Sequence, residues 1–483
     1  MHPILFRVPL PAWTVPLLWV FLIAAGIAFV GAVGLFIAKN KPGAAAAGIV
    51  GVVLAALASL FKDQTYTLSP LPIYSYGVML GLSLVVGWYL TLGLAERDGL
   101  PRETMANCYV VTALAAVVGA RVLYILTNLD EFDSLGSMFD IRRGGLVAYG
   151  GFLGGFLGSY LFLRSHRIPL LPWADVAVPS LASGLMITRI GCYLFGCDFG
   201  RPLGETAPGW LKGLGTFPRW PEGTLDGGSG SPAWVQHVRE RGLDPASEAS
   251  LPVHPTQLYE ALVGAGLLAL LLLARRRQKF RGEIFLLFTF AYGVCRYLLE
   301  LLRDDAERGS VPPSLPEHVL LPAGLVVFAV AYSIGFSHII HNNAVRKATQ
   351  ALAFIPAVVL YLALKPETFG ASTLLQYSTS QAVALVTGLA AAIAFSVYYK
   401  AALAHPAQAM ALDLPGGQTA AATADEDDED EDEDDGPGDQ RGSRAAADDK
   451  STRERRGSAK GEGRAAARER GAAAEAPDTT GEE

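Results

Sequence analysis

The chain is poor in cysteine and poor in evenly spread charge. It has four cysteines in 483 residues: Cys108, Cys192, Cys197 and Cys295. No two stand as a CxxC pair, which argues against a structural zinc site. Charged residues make up only 18% of the chain, and they are unevenly placed. The net charge of −7 hides a split. From residue 405 to the end there are 22 acids and 10 bases, a balance of −12, which leaves 24 acids and 29 bases, or +5, for the rest. The body is therefore mildly basic. The acidity belongs to a low-complexity tail containing DEDDEDEDEDD at 425–435. Such a segment cannot bury enough apolar surface to offset its ordering entropy and is expected to be disordered.

Long apolar runs are what the chain has in abundance. Hydrophobic residues make up 51%, and mean hydropathy is positive. A membrane-spanning helix needs ~20 mainly apolar residues. Candidate spans lie near 13–38, 44–61, 73–95, 104–128, 144–163, 170–195, 256–274, 283–302, 319–338, 350–364 and 379–399. The expected fold is an all-α polytopic membrane protein of about eleven spans. The first run is long and has no basic segment before it, so it reads as an anchor rather than a cleaved signal.

Basic residues cluster in alternate connections: Lys39 and Lys41, Arg97 and Arg102, Arg164 and Arg167, RRRQKFR at 275–281, and Arg346 with Lys347. Since basic loops stay on the cytoplasmic side, the N-terminus is expected outside and the C-terminus inside. The polar segment 197–255 is then a loop on the outer face. The stretch GGLVAYGGFLGGFLG (144–158) has seven glycines, which suits close helix packing in a membrane.

Against this apolar background the internal arginines stand out. Arg189 sits near the end of LLPWADVAVPSLASGLMITRIGCYLFG, Arg121 within GARVLYIL, and Arg296 within AYGVCRYLLELL. A charge at such depth is costly and needs a partner or a function. The topology puts Arg121, Arg189 and Arg296, with Tyr76, Tyr149 and Glu260, within roughly 10 Å of the outer boundary at ~1.5 Å rise per residue. Arg296, Glu300 and Arg303 are spaced to share one helix face, so Arg296 and Glu300 are expected to pair. Guanidinium groups grip phosphate oxygens in pairs. The pattern favours an anion held in the outer leaflet, a phospholipid headgroup above all, and chemistry in which the phosphate leaves. Cys192 and Cys197 lie near the same face. A disulfide is permitted there, but two small apolar residues at a tight helix end is the better reading.

An ordered set of motifs resembles the prolipoprotein diacylglyceryl transferase family. It comprises HPILF at the N-terminus, YSYGVMLGL (74–82), GARVLYIL (119–126), RRGGLVAYGGFLGG (142–155), TRIGCYLFGCDFGRP (188–202), HPTQLYEAL (254–262), and RGEIFLLFTFAYGVCRYLLELLRDD (281–305). A late STSQ (378–381) resembles the family's closing helix. The resemblance covers about 71–305 and 376–400. It implies transfer of a diacylglyceryl group from phosphatidylglycerol to the lipobox cysteine of a prolipoprotein, without metal or cofactor, in the bacterial cytoplasmic (inner) membrane. The implied partners are phosphatidylglycerol, prolipoprotein signal peptides and membrane lipids, with no nucleic acid.

By motif the resemblance singles out Arg189, Arg296, Tyr292, Tyr76, Gly200, Gln257 and Glu260. Taken together with placement by depth and spacing, Arg189, Arg296, Tyr149 and Glu260 are expected to be catalytic, and Arg189, Arg121, Tyr76, Tyr292, Gly200, Gln257 and Glu300 to hold the lipid. Where many members have asparagines and a glutamate, this chain has Cys192, Phe195 and Cys197, and where many have a histidine it has Tyr149. The thiol-activating group therefore stays open among Glu260, a Tyr149-linked network and the arginine field. Two departures in length imply the division: an outer segment 1–12, an inserted hairpin 13–65, a core 66–309, a second inserted hairpin 310–370, a last core helix 371–404 and a tail 405–483. A catalytically silent lipid-binding paralogue and an anion transporter are the rival readings.

Overall fold

A computed structural model describes residues 3–9, 14–39, 41–67, 71–132, 135–138, 145–220, 230–304, 309–365, 373–412 and 414. The tail beyond 414, half of DEFDSLGSMFDIRR (130–143), residues 305–308 and part of the loop 197–255 lie outside the described residues.

Each expected span corresponds to helix. The chain runs α1 Leu17–Ile37, α2 Lys41–Leu60, α3 Ser75–Arg97, α4 Arg102–Thr127, the single turn α5 Leu135–Met138, α6 Ala148–Ser165 and α7 Leu170–Phe195. Short α8 Gly209–Leu214 and α9 Pro232–Glu240 follow, then α10 Thr256–Arg275, α11 Glu283–Glu300 and α12 Glu317–Ile334. The pair α13 Asn343–Leu352 and α14 Ile355–Ala363 leads to α15 Thr379–Ala404 and the turn α16 Pro406–Ala409.

Among the described residues, nine helical segments are long and apolar enough to cross a membrane. The other two expected spans, α6 and α11, are helices of 18 residues each. They are less apolar for a reason. Helix α6 is diluted by glycine, and α11 carries Glu283, Arg296 and Glu300.

The glycines of α6 let two backbones touch. A Cβ on Gly154 would come within 2.3 Å of the Ala115 carbonyl, and one on Gly119 within 2.4 Å of the Gly150 carbonyl. Any larger residue there would force α4 and α6 apart.

The fold is mostly helical, consistent with the all-α polytopic expectation, and short ribbons join some of the helix ends. Among the described residues, three antiparallel two-stranded ribbons are present. Strand β1 (Ile4–Val8) pairs with β4 (Leu71–Tyr74), β2 (Thr14–Pro16) with β3 (Thr65–Thr67), and β5 (Ser310–Pro316) with β6 (Leu374–Ser378). The ribbon β2–β3 closes the base of the α1–α2 hairpin, and β5–β6 closes the base of the α12–α14 segment. Both expected insertions are thus fastened at their ends. These strands escaped the hydropathy pattern because they are short and several contain proline, which is suited to such edges.

One end of the bundle is tied by charge. Arg275 and Arg281 both reach the Asp98 carboxylate, at 2.7 and 3.0 Å. Beside them the buried Asp175 on α7 accepts from the backbone N–H groups of Gly282 (2.6 Å) and Phe285 (2.9 Å). It thereby caps the start of α11 from another helix, satisfying donors that a helix end leaves open. The chain also stays packed past 405: Leu412 is buried among Leu92, Met105 and Leu163, with Leu414 against it.

Candidate functional site

The opposite end of the bundle gathers the residues singled out above. Helices α3, α6, α10 and α15 begin there, and α7 and α11 end there. Glu260 is in the second turn of α10, one turn beyond Gln257 and on the same face. Its side chain is 4% exposed. One oxygen accepts from Arg296 Nη1 at 2.6 Å, with Arg303 Nη1 at 3.6 Å, and the other pairs with Arg189 Nε. Arg296 also reaches Glu300 at 2.8 Å through Nη2, the pairing expected from their spacing.

The site therefore differs from a bare arginine cluster. Arg189, Arg296 and Arg303 are met by Asp198, Glu260 and Glu300, so formal charge nearly balances. Asp198 is the residue that sequence reasoning missed. It bonds Arg189 Nη1 and Arg303 Nη2, each at 2.5 Å. Burial pushes its carboxyl up, but the guanidiniums of Arg189 and Arg303 outweigh burial and hold it below the usual carboxylate range.

Its placement follows from the end of α7. Gly196 adopts the left-handed conformation (φ 80°) and its N–H bonds the Cys192 carbonyl at 2.7 Å, a common helix ending. Asp198 is itself left-handed (φ 58°), a conformation that aspartate tolerates better than most residues. The double turn swings the carboxylate back toward Arg189. Its signal in the sequence was the acid in CDFGRP, one position after Cys197.

Around this turn the loop is held by α10. Gln257 is fully buried, and its Nε2 donates to the Cys197 carbonyl at 2.5 Å. Its Oε1 lacks a hydrogen-bond partner among the described residues. Thr256 Oγ1 donates to the Asp198 carbonyl at 2.6 Å. Gly200 forms a backbone bridge with Arg303. A Cβ there would fall 2.6 Å from the Leu302 carbonyl and 2.8 Å from His254 Cβ. Gly200, expected to touch lipid, is required for this close approach. The loop 197–255, as far as it is described, folds onto the same end, with Phe199, Phe217, Ala233 and Val253 as a small core.

The tyrosines join from three helices. Tyr149 donates to Ser380 Oγ at 3.0 Å, and Arg296 Nη2 donates to the same hydroxyl at 3.2 Å. Ser380 was also missed as a site residue. Its position is fixed by a capping box at the start of α15: Ser378 Oγ accepts from Gln381 N–H at 3.1 Å, and Gln381 Oε1 from Ser378 N–H at 3.0 Å. The STSQ motif carries that signature in plain sight. Tyr292 is within electrostatic range of Arg296, Glu260, Arg189 and Tyr149. Tyr76 is near Cys192, Asp198 and Arg189. Its helix comes close because residue 191 is glycine, where a Cβ would meet Tyr76 Cα at 3.3 Å.

Arg121 is placed differently. It donates to the carbonyls of Met138 (2.9 Å) and Gly145 (3.0 Å), and stacks near Tyr124 and Phe132. The contacts described for it organise the loop between α4 and α6. The backbone N–H of His254 donates to the Arg201 carbonyl. Cys192, Cys197 and Asp198 place two sulfurs and a carboxylate oxygen within 4.8 Å of one another. Asp198 already serves two arginines, so this trio is a poor closed metal site.

A sequence model described as prolipoprotein diacylglyceryl transferase matches residues 64–340. The chain belongs to this family. The match begins after α1 and α2 and ends after α12, so the expected first insertion lies almost wholly outside it and the second straddles its end. Named relatives agree. A phosphatidylglycerol–prolipoprotein diacylglyceryl transferase of Clostridium tetani is 27% identical over 250 residues, 52% of this chain and 88% of that protein. One of Bacillus cereus is 26% identical over 268 residues, 55% of this chain and 89% of the relative. One of Finegoldia magna is 29% identical over 234 residues, 48% and 79% respectively.

Proposed function

We propose that this family member transfers the diacylglyceryl group of phosphatidylglycerol to the lipobox cysteine thiol of prolipoproteins. It forms a thioether, releases glycerol phosphate, and acts from the outer side of a bacterial inner membrane. The observation that carries this reading is the single carboxylate, Glu260, that ties together Arg189 and Arg296 at one end of an apolar bundle. Basic connections cluster at the other end, which supports an outer location for the site.

The roles follow from the geometry. A headgroup phosphate competes with Glu260, Asp198 and Glu300 for the guanidiniums. Docking on Arg189 and Arg296 loosens their grip on Glu260. A free thiol has a pKa of ~8.5 and needs a base or a positive field to ionise. Glu260, released in part by the phosphate, takes the thiol proton. The sulfur attacks the glyceryl carbon, the C–S bond forms, and the C–O bond breaks with its electron pair leaving on glycerol phosphate. The two arginines stabilise that charge. Tyr149 and Ser380 hold Arg296 in place, and Tyr76 and Tyr292 orient the headgroup.

The test is direct. Purified protein is mixed with phosphatidylglycerol and a lipobox peptide, and thiol alkylation by the lipid is followed as a mass shift. Transfer that persists undiminished in Arg189→Ala removes the role given to Arg189. Wild-type protein inactive under all conditions favours a silent lipid-binding paralogue.

A further inference from the structure

Cys192 and Cys197 are the two nucleophilic side chains at the site that the proposed reaction does not use. They were read from sequence as small apolar residues, but their surroundings are specific. The left-handed turn at Gly196 folds Cys197 back over the end of α7, so that its Sγ approaches the Cys192 carbonyl at 3.9 Å. The two sulfurs lie within 4.8 Å of each other. Arg189 Nη1 points at Cys192 Sγ from 3.7 Å. Cys192 is buried and Cys197 partly exposed, so one sulfur of the pair is open to an exchange partner. The other two cysteines lie elsewhere: Cys108 is buried in α4 and Cys295 lies within α11.

We propose that Cys192 and Cys197 are a modification site, a dithiol converted reversibly to an intramolecular disulfide at the outer face. The outer location rests on the orientation proposed above. Compartments on that side sustain disulfides. The oxidant is a disulfide of a periplasm-type dithiol protein or of a small thiol. One cysteine attacks a sulfur of that disulfide, giving a mixed disulfide and releasing the first donor thiol. The second cysteine then attacks the mixed disulfide and releases the other donor thiol. Two electrons pass from the pair to the donor, and the two thiol protons end on the donor's sulfurs.

The bond would have a consequence for the site. A disulfide requires the sulfurs to close to ~2.05 Å, which draws the 196–198 turn against the helix end. That turn carries Asp198, which holds Arg189 and Arg303. Oxidation therefore staples the carboxylate turn, and reduction releases it.

The experiment uses the full-length protein in detergent micelles, incubated with oxidised or reduced glutathione. It is then denatured, alkylated and digested after Arg189, which leaves both cysteines on one peptide. The expected result with oxidised glutathione is a peptide lighter by two hydrogens and without alkyl groups, gaining two alkyl groups after reduction. Full alkylation of both cysteines after prolonged oxidation overturns the proposal, as does cross-linking to Cys108 or Cys295. Protection that a chelator reverses, with no loss of hydrogens, also overturns it, because it marks a bound soft cation instead. Cys192→Ser should accumulate a glutathione adduct on Cys197; absence of the adduct argues against the exchange route.

Protein quenched directly from cells provides the second arm. The oxidised peptide is expected there, and a fully reduced pair in cells defeats the claim of modification at the outer face. The lipid-transfer assay is run on the same preparations. Failure of the pair to oxidise leaves transfer intact, and failure of transfer leaves the disulfide result standing, so the two readings fail separately.

Discussion

Arg296 Nη1 lies 2.6 Å from Glu260 Oε1, while the other oxygen of the same carboxylate pairs with Arg189. Two guanidiniums from different helices are thus held by one buried acid. Removing one partner of a buried ion pair costs ~3–5 kcal/mol, because the other charge is left uncompensated. Glu260→Ala is expected to destabilise the bundle end by an amount of that order and to abolish transfer. Glu260→Gln keeps the shape but not the charge. It should lower transfer ~10²-fold or more, as expected for loss of a general base, while phosphatidylglycerol binds at least as well. Weaker lipid binding in Glu260→Gln, measured by native mass spectrometry, would contradict competition between Glu260 and the phosphate.

Ser380 provides a finer test, because its neighbours separate two effects. Ser380→Ala removes an acceptor shared by Tyr149 and Arg296 but leaves the capping box intact. Its expected effect is a fall in transfer with an unchanged thermal midpoint. Ser378→Ala removes the cap instead, and losing an N-cap costs ~1 kcal/mol. It should lower the midpoint and reduce transfer only as far as α15 shifts. Equal behaviour of the two variants in both measurements would remove Ser380 from the site. Tyr149→Phe is expected to resemble Ser380→Ala, since both break the same link.

Gly200 should tolerate no side chain. A Cβ would press on the Leu302 carbonyl, part of rigid backbone, and on His254 and Thr256. Gly200→Ala is expected to separate the turn from the Arg303 segment and so weaken the Arg303–Asp198 pair. Overpacking of this kind typically costs ~1–3 kcal/mol. Loss of transfer with a lowered thermal midpoint is the expected result. Loss of transfer with unchanged stability would point to direct lipid contact instead.

Much of this arrangement was legible from residue patterns, and the exceptions have physical causes. Apolar runs gave the helices because burial in lipid or protein is what such runs are for. Depth and topology brought Arg189, Arg296, Tyr76, Tyr149 and Glu260 to one end of the bundle. The spacing of Arg296 and Glu300 gave their pairing. Asp198 was not legible, since its role depends on two consecutive left-handed turns that reverse the chain after α7. Arg121 lies toward the same end of the bundle but serves the loop carbonyls after its own helix. Depth along a helix says nothing about which way around the helix a side chain points. Asp175, not singled out in the apolar run of α7, caps α11 across the bundle. Its substitution by Ala should expose two buried N–H groups, each worth ~1–3 kcal/mol when unsatisfied, and lower thermal stability without touching the site directly.

The loop 197–255 is expected to carry its own pH dependence. His237 on α9 is fully buried, and its Nδ1 accepts from the Leu251 N–H at 3.2 Å. Burial, with Arg241 adding to it, lowers its pKa below the ordinary histidine value, against the weaker opposing pull of Asp304 and Glu240. Burial lowers His254 in the same direction. A base whose folded-state pKa is depressed binds fewer protons when folded than when unfolded. The stability it contributes is therefore whole above the unfolded value of ~6.5 and is lost as pH falls below it toward the folded value. Protonating His237 would also replace the acceptor of the Leu251 bond with a donor. Between neutral pH and mildly acidic pH, amide hydrogen exchange in residues 231–253 should speed up while exchange in α7 and α10 stays slow. His237→Gln, which keeps a neutral acceptor, should flatten that response. A loop whose exchange is equally slow at both pH values would show that His237 is not what limits its stability.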